Sequence, residues 1–487
     1  MSTQTPTTLK QQTFSGFIWR LAERLCAQVV SFVITVVLAR ILMPSEYGIV
    51  AIVNAFIVIA DVLISSSFSI ALIQKKEADE LDFSTAFYAS LVMAALLYAL
   101  LFFCAPLISR FYKNDSLVLL FRIMGLKFFI SAVNSVQQAY VSRQMIFRKF
   151  FFATLSGTVL SGVAGIVLAL NGAGVWALIV QLLTNPFIDT IILFITVRWH
   201  PRFLFSFERL KSLFDYGWKI MLSYLAGTLF HRLNSLVVGK KYSAADLAYY
   251  NRGESLPKLV TSCISSTIES VLFPAISKVQ DDRQKMKAAV RRAISLGSFI
   301  IMPMLFGFAA VSDRLIVLLF TQKWAPAIPF VQIVCLEELT TLLSNINLQS
   351  IKACGRSDTL LKIEFIKKPV FLVVIILAAR VSPICLALST AIYSFFALFI
   401  DSIPNKKLID YSFFEQLCDV KNSFFMSAIM AAAVWCVGKI ALADVIVLPL
   451  QIVLGVGVYV GLSLVSRNKE FLYIKGMIGE IIEKNHI

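Results

Sequence analysis

VIVLPLQIVLGVGVYVGLSL, residues 445–464, contains no charged residue, and a helix of that length crosses a hydrocarbon core about 30 Å thick. A strand of an outer-membrane barrel would be about ten residues long and would alternate apolar with polar side chains. This run and VFLVVIILAA at 370–379 do neither. They are spanning helices.

Working outward from them, similar stretches recur from Phe17 to Val465 with short polar breaks. The spacing predicts about 14 spans: 17–40, 46–73, 83–105, 117–141, 150–170, 174–197, 212–238, 255–277, 293–312, 327–351, 362–380, 384–401, 423–441 and 444–465. Composition agrees: a chain of 487 residues that is 58% hydrophobic and 15% charged is too apolar for a soluble protein of this size. The expected fold class is an all-α, polytopic membrane protein.

Met1–Gln12 is polar and lacks the basic and apolar regions of a signal peptide, so the first span is expected to stay in the mature chain. Lys and Arg concentrate in alternate loops, among them Lys75, Lys76, Arg143, Arg148, Lys149, Arg202, Arg209 and the run from Lys278 to Arg292. Cytoplasmic loops retain such residues. Both termini are therefore expected to be cytoplasmic, with 278–292 inside and 240–258 forming the longest outside loop. A net charge of +16 follows from that topology beside anionic lipid and calls for no nucleic-acid partner.

Eight cysteines are scattered singly, without CxxC, and the histidines are only His200, His231 and His486, without HExxH. No metal site and no cofactor are expected. GxGxxG and GxxxxGK[ST] are also missing, which removes the usual nucleotide cradles.

A duplication lies beneath the hydropathy. Trp19-Arg20 opens the first span and Trp218-Lys219 the seventh, and Ala39-Arg40 is paralleled by Gly239-Lys240. One common offset carries Lys127, Asn134 and Gln138 of the fourth span onto Glu338, Asn345 and Gln349 of the tenth. With an even number of spans in each half, the repeats are parallel. The expected organisation is an N-terminal tail (1–16), a six-span lobe (17–197), a cytoplasmic linker (198–211), a second six-span lobe (212–401), a supplementary helix pair (423–465) and a tail (466–487).

Charges within spans are the informative residues, because one at mid-membrane costs about 2.5–3.5 kcal/mol on insertion scales and must face protein or water. At about 100° per residue, Arg20, Glu23, Arg24, Gln28, Ser31 and Thr35 share one face of the first span. The fourth carries Lys127, Ser131, Asn134 and Gln138 on one face, and the seventh Lys219, Ser223, Gly227, His231 and Asn234. The tenth offers Glu337, Glu338, Thr341, Asn345 and Gln349. Such stripes either wall a cavity that holds substrate or join helices through hydrogen bonds. Arg122 and Arg232 fall off the stripes near span ends, where they can snorkel to the interface. Asp61 and Glu269 lie deeper, as coupling carboxylates or as partners of cations.

The segments ARILMPSEYGIVAIVNAF, ALIQKKEADELDFSTAF, SRQMIFRKF, NGAGVWALIVQ, YGWKIMLSYL, NSLVVGKKYSAADLAYYNR, LFPAISKVQDDR and QKWAPAIPFVQI run through nearly the whole chain. They resemble the polysaccharide transporters of the multidrug/oligosaccharidyl-lipid/polysaccharide flippase superfamily. The nearest branch is Wzx-like and includes colanic-acid and teichuronic-acid exporters. The resemblance implies a flippase, not an enzyme, in the bacterial inner membrane. It implies a substrate of undecaprenyl diphosphate linked to an oligosaccharide repeat unit, with membrane lipid and the polysaccharide polymerase and chain-length machinery as partners. A diphosphate head group suits cations, and its glycan suits amides and hydroxyls. The family often has an acidic residue beside the Asn of the seventh span, where this chain reads Asn234-Ser235. Other readings are a cation-coupled drug exporter of the same superfamily, a membrane polysaccharide polymerase or ligase, and a structural scaffold.

Overall fold

The computed structural model of the chain describes residues 9–66, 68–197, 199–277, 279, 282–440 and 442–476, and every regular element among them is helical. In order these are α1 (Leu9–Ile41), α2 (Pro44–Ser65), α3 (Phe68–Gln74), α4 (Glu80–Tyr112), α5 (Ser116–Met124), α6 (Lys127–Arg143), α7 (Arg148–Leu170) and α8 (Val175–Thr196). Then follow α9 (Phe207–Lys241), α10 (Ala244–Ser277), α11 (Arg283–Phe320), a 3-10 turn at Gln322–Ala327, α12 (Ile328–Ala353), α13 (Ser357–Ala378), α14 (Pro383–Ile409), α15 (Phe413–Val437) and α16 (Asp444–Val465).

Each expected span falls on this frame, the second on α2 with α3 and the fourth on α5 with α6. Among the described residues, 11 helical stretches are long and apolar enough to cross a membrane. Helices α9, α10 and α13 are not among them. Their polar load is the cause: α9 alone carries Asp215, Lys219, His231 and Arg232 along its length.

The expected outside loop at Lys240–Lys258 is corrected by the structure, because only Tyr242 and Ser243 interrupt helix there. Ser243 explains it. Its N–H and its hydroxyl both donate to the Asp246 carboxylate, at 3.1 and 2.7 Å, and its Oγ accepts from the Asp246 N–H. That reciprocal cap starts α10 at once. The equivalent turn of the first half uses the same device: Pro44 opens α2, and the Met43 N–H donates to Glu46 at 2.7 Å. The duplication inferred from Ala39-Arg40 and Gly239-Lys240 thus extends to the turns that follow them.

Two glycines allow close approach near these turns. A Cβ on Gly48 would sit 1.6 Å from the carbonyl oxygen of Ala244. Gly174 combines a φ of +55° with a Cβ position 2.5 Å from Glu46 Oε1, so only glycine suits it.

The chain divides into two compact units, residues 1–248 and 249–487. In the first, α1 packs on α7, α7 on α8, and α6 on α4 and α8. Helix α9, which the sequence places at the start of the second lobe, packs on α2, α3 and α4 within this unit. In the second, α11 is the central post, packed by α12, α15 and α16, with α14 against α12 and α13. The supplementary pair is therefore part of the second unit's packing, and α15 begins already at Phe413 because Ser412 and Glu415 cap it reciprocally.

The outer surface is apolar. Along α4, Val92, Leu96, Leu100, Phe103 and Leu107 are all exposed, Phe103 at 76%, at the three-and-four spacing of one helix face. Facing lipid, that stripe loses nothing.

Candidate functional site: charged faces within the membrane helices

Within the first unit, Arg20 and Glu23 meet as an i,i+3 pair on one face of α1, which packs on α7. Arg20 Nη1 lies 2.8 Å from Glu23 Oε2, and its guanidinium sits 4.0 Å from the centroid of the Phe150 ring. Buried Glu23 also accepts from Thr154 Oγ1 of α7 at 3.1 Å. The same hydroxyl lies 3.5 Å from Asp189 Oδ1 of α8. Asn134 Nδ2 of α6 donates to Asp189 Oδ2 at 2.8 Å and to Thr190 Oγ1 at 2.9 Å, while Gln138 Nε2 donates to Asn134 Oδ1 at 2.5 Å. The polar stripes of the first and fourth spans therefore meet through α7 and α8. Sequence reading missed Thr154 and Asp189, the two residues that join them.

Lys127 is not free either. Its Nζ stands 3.7 Å from Asp61 Oδ2, with both side chains mostly buried. Arg24, Arg122, Lys219 and Arg232, all in spans of this unit, have no carboxylate partner among the described residues. Arg24 and Lys219 are exposed, as are Gln28 and Gln138, and Lys219 stands 6.0 Å from the neighbouring Trp218 ring.

Arg232, which the sequence sets off the stripe near a span end, borders the same space as the stripe. It lines a cavity of about 350 Å³ together with Ser223, Gly227 and His231 of the expected seventh-span face, and with Val58 of α2. The face is wider than a single line of residues, since a helix surface three to four residues around still borders the same space. Asn234 is half-buried and is not part of that lining. Arg122 instead stacks over Phe102 at 4.0 Å.

Within the second unit, buried Glu338 accepts from Thr261 Oγ1 at 2.6 Å, and one turn earlier on α10 Lys258 pairs with Glu254 at 2.5 Å. Asn345 and Gln349 are half-buried on α12. The amide that organises this helix is instead Asn347, which exchanges hydrogen bonds with Gln416 at 2.8 and 3.0 Å and accepts from Asn405 at 2.6 Å. The side chain of Glu269 lies outside the described residues.

A buried pair that sequence reading also missed joins α13 and α14: Lys367 Nζ lies 2.9 Å from Asp401 Oδ1. Its position is legible in retrospect. Asp401 sits in FIDSI, residues 399–403, and Asp189 in FIDTI, residues 187–191.

A many-helix membrane bundle with two units and a repeated helix–turn–helix opening belongs to the class of polytopic transporters. Residues 37–329 match the family described as "Polysaccharide biosynthesis protein", and the chain belongs to that family. It is similar to the teichuronic acid biosynthesis protein TuaB of Bacillus subtilis, 26% identical over 72% of this chain and 73% of that one. It is similar also to the succinoglycan biosynthesis transport protein ExoT of Rhizobium meliloti, 25% identical over 69% of this chain and 68% of that one. Among solved structures it shares the fold of the lipid II flippase MurJ in an inward closed conformation, with a TM-score of 0.74 at 14% identity, covering 93% of this chain and 99% of that one.

Proposed function

We propose that this protein flips undecaprenyl-diphosphate-linked oligosaccharide repeat units from the cytoplasmic to the periplasmic leaflet of the bacterial inner membrane, for surface polysaccharide synthesis. Two six-span lobes, 17–197 and 212–401, alternate access to a polar space while the lipid tail stays in the bilayer. Family membership, relatives named for polysaccharide biosynthesis and the MurJ-like fold support this reading. The observation that carries it is the division among the in-span cations.

Arg20 and Lys127 are neutralised by Glu23 and Asp61, whereas Arg24, Lys219 and Arg232 keep their charge available. A diphosphate is what such cations suit, since charge-assisted hydrogen bonds to phosphate contribute about 1.5–3 kcal/mol each. Cationic drugs would be repelled by the same groups. Gln28, Asn134, Gln138, Asn234, Asn345 and Gln349 supply amides for glycan hydroxyls. Glu23, Asp61, Glu269 and Glu338 then act as structural or coupling carboxylates. The chain catalyses no covalent step in this scheme.

Both termini are cytoplasmic in this topology, so cysteines placed at Lys285 and Ser243 should be labelled from opposite sides. Mass spectrometry of undecaprenyl-linked glycans in a deletion strain tests the function: single repeat units should accumulate. An unchanged lipid-linked pool together with altered drug sensitivity would point to an exporter of drugs instead.

A further inference from the structure

Outside the membrane-embedded stripes, the first unit has a polar cavity of about 480 Å³ where the α3–α4 turn, the α6–α7 turn and the linker before α9 converge. That volume is within the ~300–1,000 Å³ of small-ligand pockets. Its wall is aromatic. Tyr140 and Trp199 stack with centroids 6.3 Å apart and planes at 25°, and Phe83 meets Tyr140 edge-on at 5.6 Å.

Polar groups complete it, but they are charge-balanced. Arg202 Nε pairs with Glu80 at 2.6 Å, Arg209 with Asp79 at 3.4 Å, and Arg143 donates to the carbonyl oxygens of Leu72 at 3.0 Å and Lys76 at 2.6 Å and to that of Lys75. Arg143, Arg202 and Arg209 each already have an anionic or carbonyl partner. A phosphate would find none to spare, whereas the carboxylate oxygens of Asp79 and Glu80 can still accept from hydroxyls.

The buried layer behind the wall is also unfinished. Trp199 is 8% exposed and its Nε1–H has no acceptor among the described residues. Gln137 is wholly buried and donates to the Trp199 carbonyl at 3.3 Å, yet its Oε1 receives no donor. Buried polar atoms without partners are uncommon in native structures.

We infer that this cavity is a saccharide-binding site for a neutral sugar ring, distinct from the cationic faces inside the membrane helices. The C–H face of the ring packs on Tyr140 beside Trp199, where the negative face of the aromatic system attracts polarised C–H bonds. Its hydroxyls reach Asp79, Glu80 and Gln144. The inference rests on the flippase reading for the source of the sugar, which is the glycan of the lipid-linked substrate held before the head group crosses. Two separated subsites then divide recognition, with neutral sugar at the loop end and diphosphate among Arg24, Lys219 and Arg232.

The test uses the full-length protein in lipid nanodiscs and saturation-transfer NMR with the methyl glycosides of glucose, galactose, mannose and N-acetylglucosamine. At least one should receive saturation, and Tyr140→Ala should weaken it about tenfold. Gln144 is exposed and Glu80 lies on the rim, so Gln144→Ala and Glu80→Gln keep the fold intact and should each weaken binding about threefold. Excess inorganic phosphate should not displace the sugar. Absence of saturation for all four glycosides, equal saturation in the three variants, or displacement by phosphate would overturn the inference. Binding of free glycosides needs no translocation, so this result stands apart from the deletion experiment, which alone decides the flippase reading.

Discussion

FIDTI on α8 and FIDSI on α14 put the same buried aspartate at matching places in the two units, and the surroundings of the two differ in charge. Asp189 is met by an amide and a hydroxyl, from Asn134 at 2.8 Å and Thr154 at 3.5 Å. Asp401 is met by an ammonium, from Lys367 at 2.9 Å. Duplication preserved the backbone and the carboxyl while the partners diverged. A polar group inside a membrane bundle is thus kept by whatever neighbour satisfies it, and its charge state is a property of the pair.

The largest effect should come from breaking the pair. Asp401→Asn leaves Lys367, which is 9% exposed, with only the more exposed Glu364 at 3.2 Å. A buried cation stripped of its main partner costs about 3–5 kcal/mol, so unfolding in detergent should shift to markedly lower temperature. Lys367→Met with Asp401→Leu should recover most of the loss. Asp189→Asn should cost under about 1 kcal/mol, because the new amide can still bond Asn134 and Thr154. Equal losses at the two positions would break the comparison.

Next come the cations. Arg24→Gln, Lys219→Gln and Arg232→Gln should each lower polysaccharide export about tenfold at unchanged membrane level, since a charge-assisted bond to phosphate is lost. Arg20→Gln and Lys127→Gln should instead lower protein level, with recovery when Glu23→Gln or Asp61→Asn is added. Immunoblots and surface-polysaccharide assays separate the two outcomes.

The smallest effect concerns Asp79, outside the spans. The Asp82 N–H donates to its carboxylate at 2.9 Å and holds its pKa below the usual carboxylate value, with Arg209 and Lys75 adding to the effect. A depressed folded pKa gives stability that is present above the ordinary carboxyl value of about 4 and lost as pH falls through the folded one. Asp79→Ala should therefore lower the melting temperature at neutral pH by the equivalent of about 0.5–1 kcal/mol, and the two proteins should converge in acid. A gap that widens on acidification would contradict the cap.

Much of the fold was legible because hydropathy along a helix is a local signal. Helix ends were less so: the Ser243–Asp246 cap turns the expected loop at 240–258 into two abutting helices, and no hydropathy window senses a single cap. Stripe analysis placed Arg20, Lys127, Asn134 and Gln138 on interior faces, but it could not name partners on other helices. Lys127 and Asp61 meet only through the tertiary fold, as do Asn134 and Asp189. Arg232 was set aside because a strict line was drawn on a surface that is about three residues wide. The FIDTI and FIDSI repeat was the one local clue to the missed aspartates, hidden within runs of apolar residues.

The central claim is movement of a glycan head group between leaflets, and its most direct measurement is leaflet accessibility. Spheroplasts of wild-type and depleted cells would be treated with a membrane-impermeant, glycan-oxidising label before and after lysis, and labelled undecaprenyl-linked glycan quantified. The account predicts label on intact wild-type spheroplasts and, in depleted ones, label only after lysis. Equal labelling of both before lysis would contradict it.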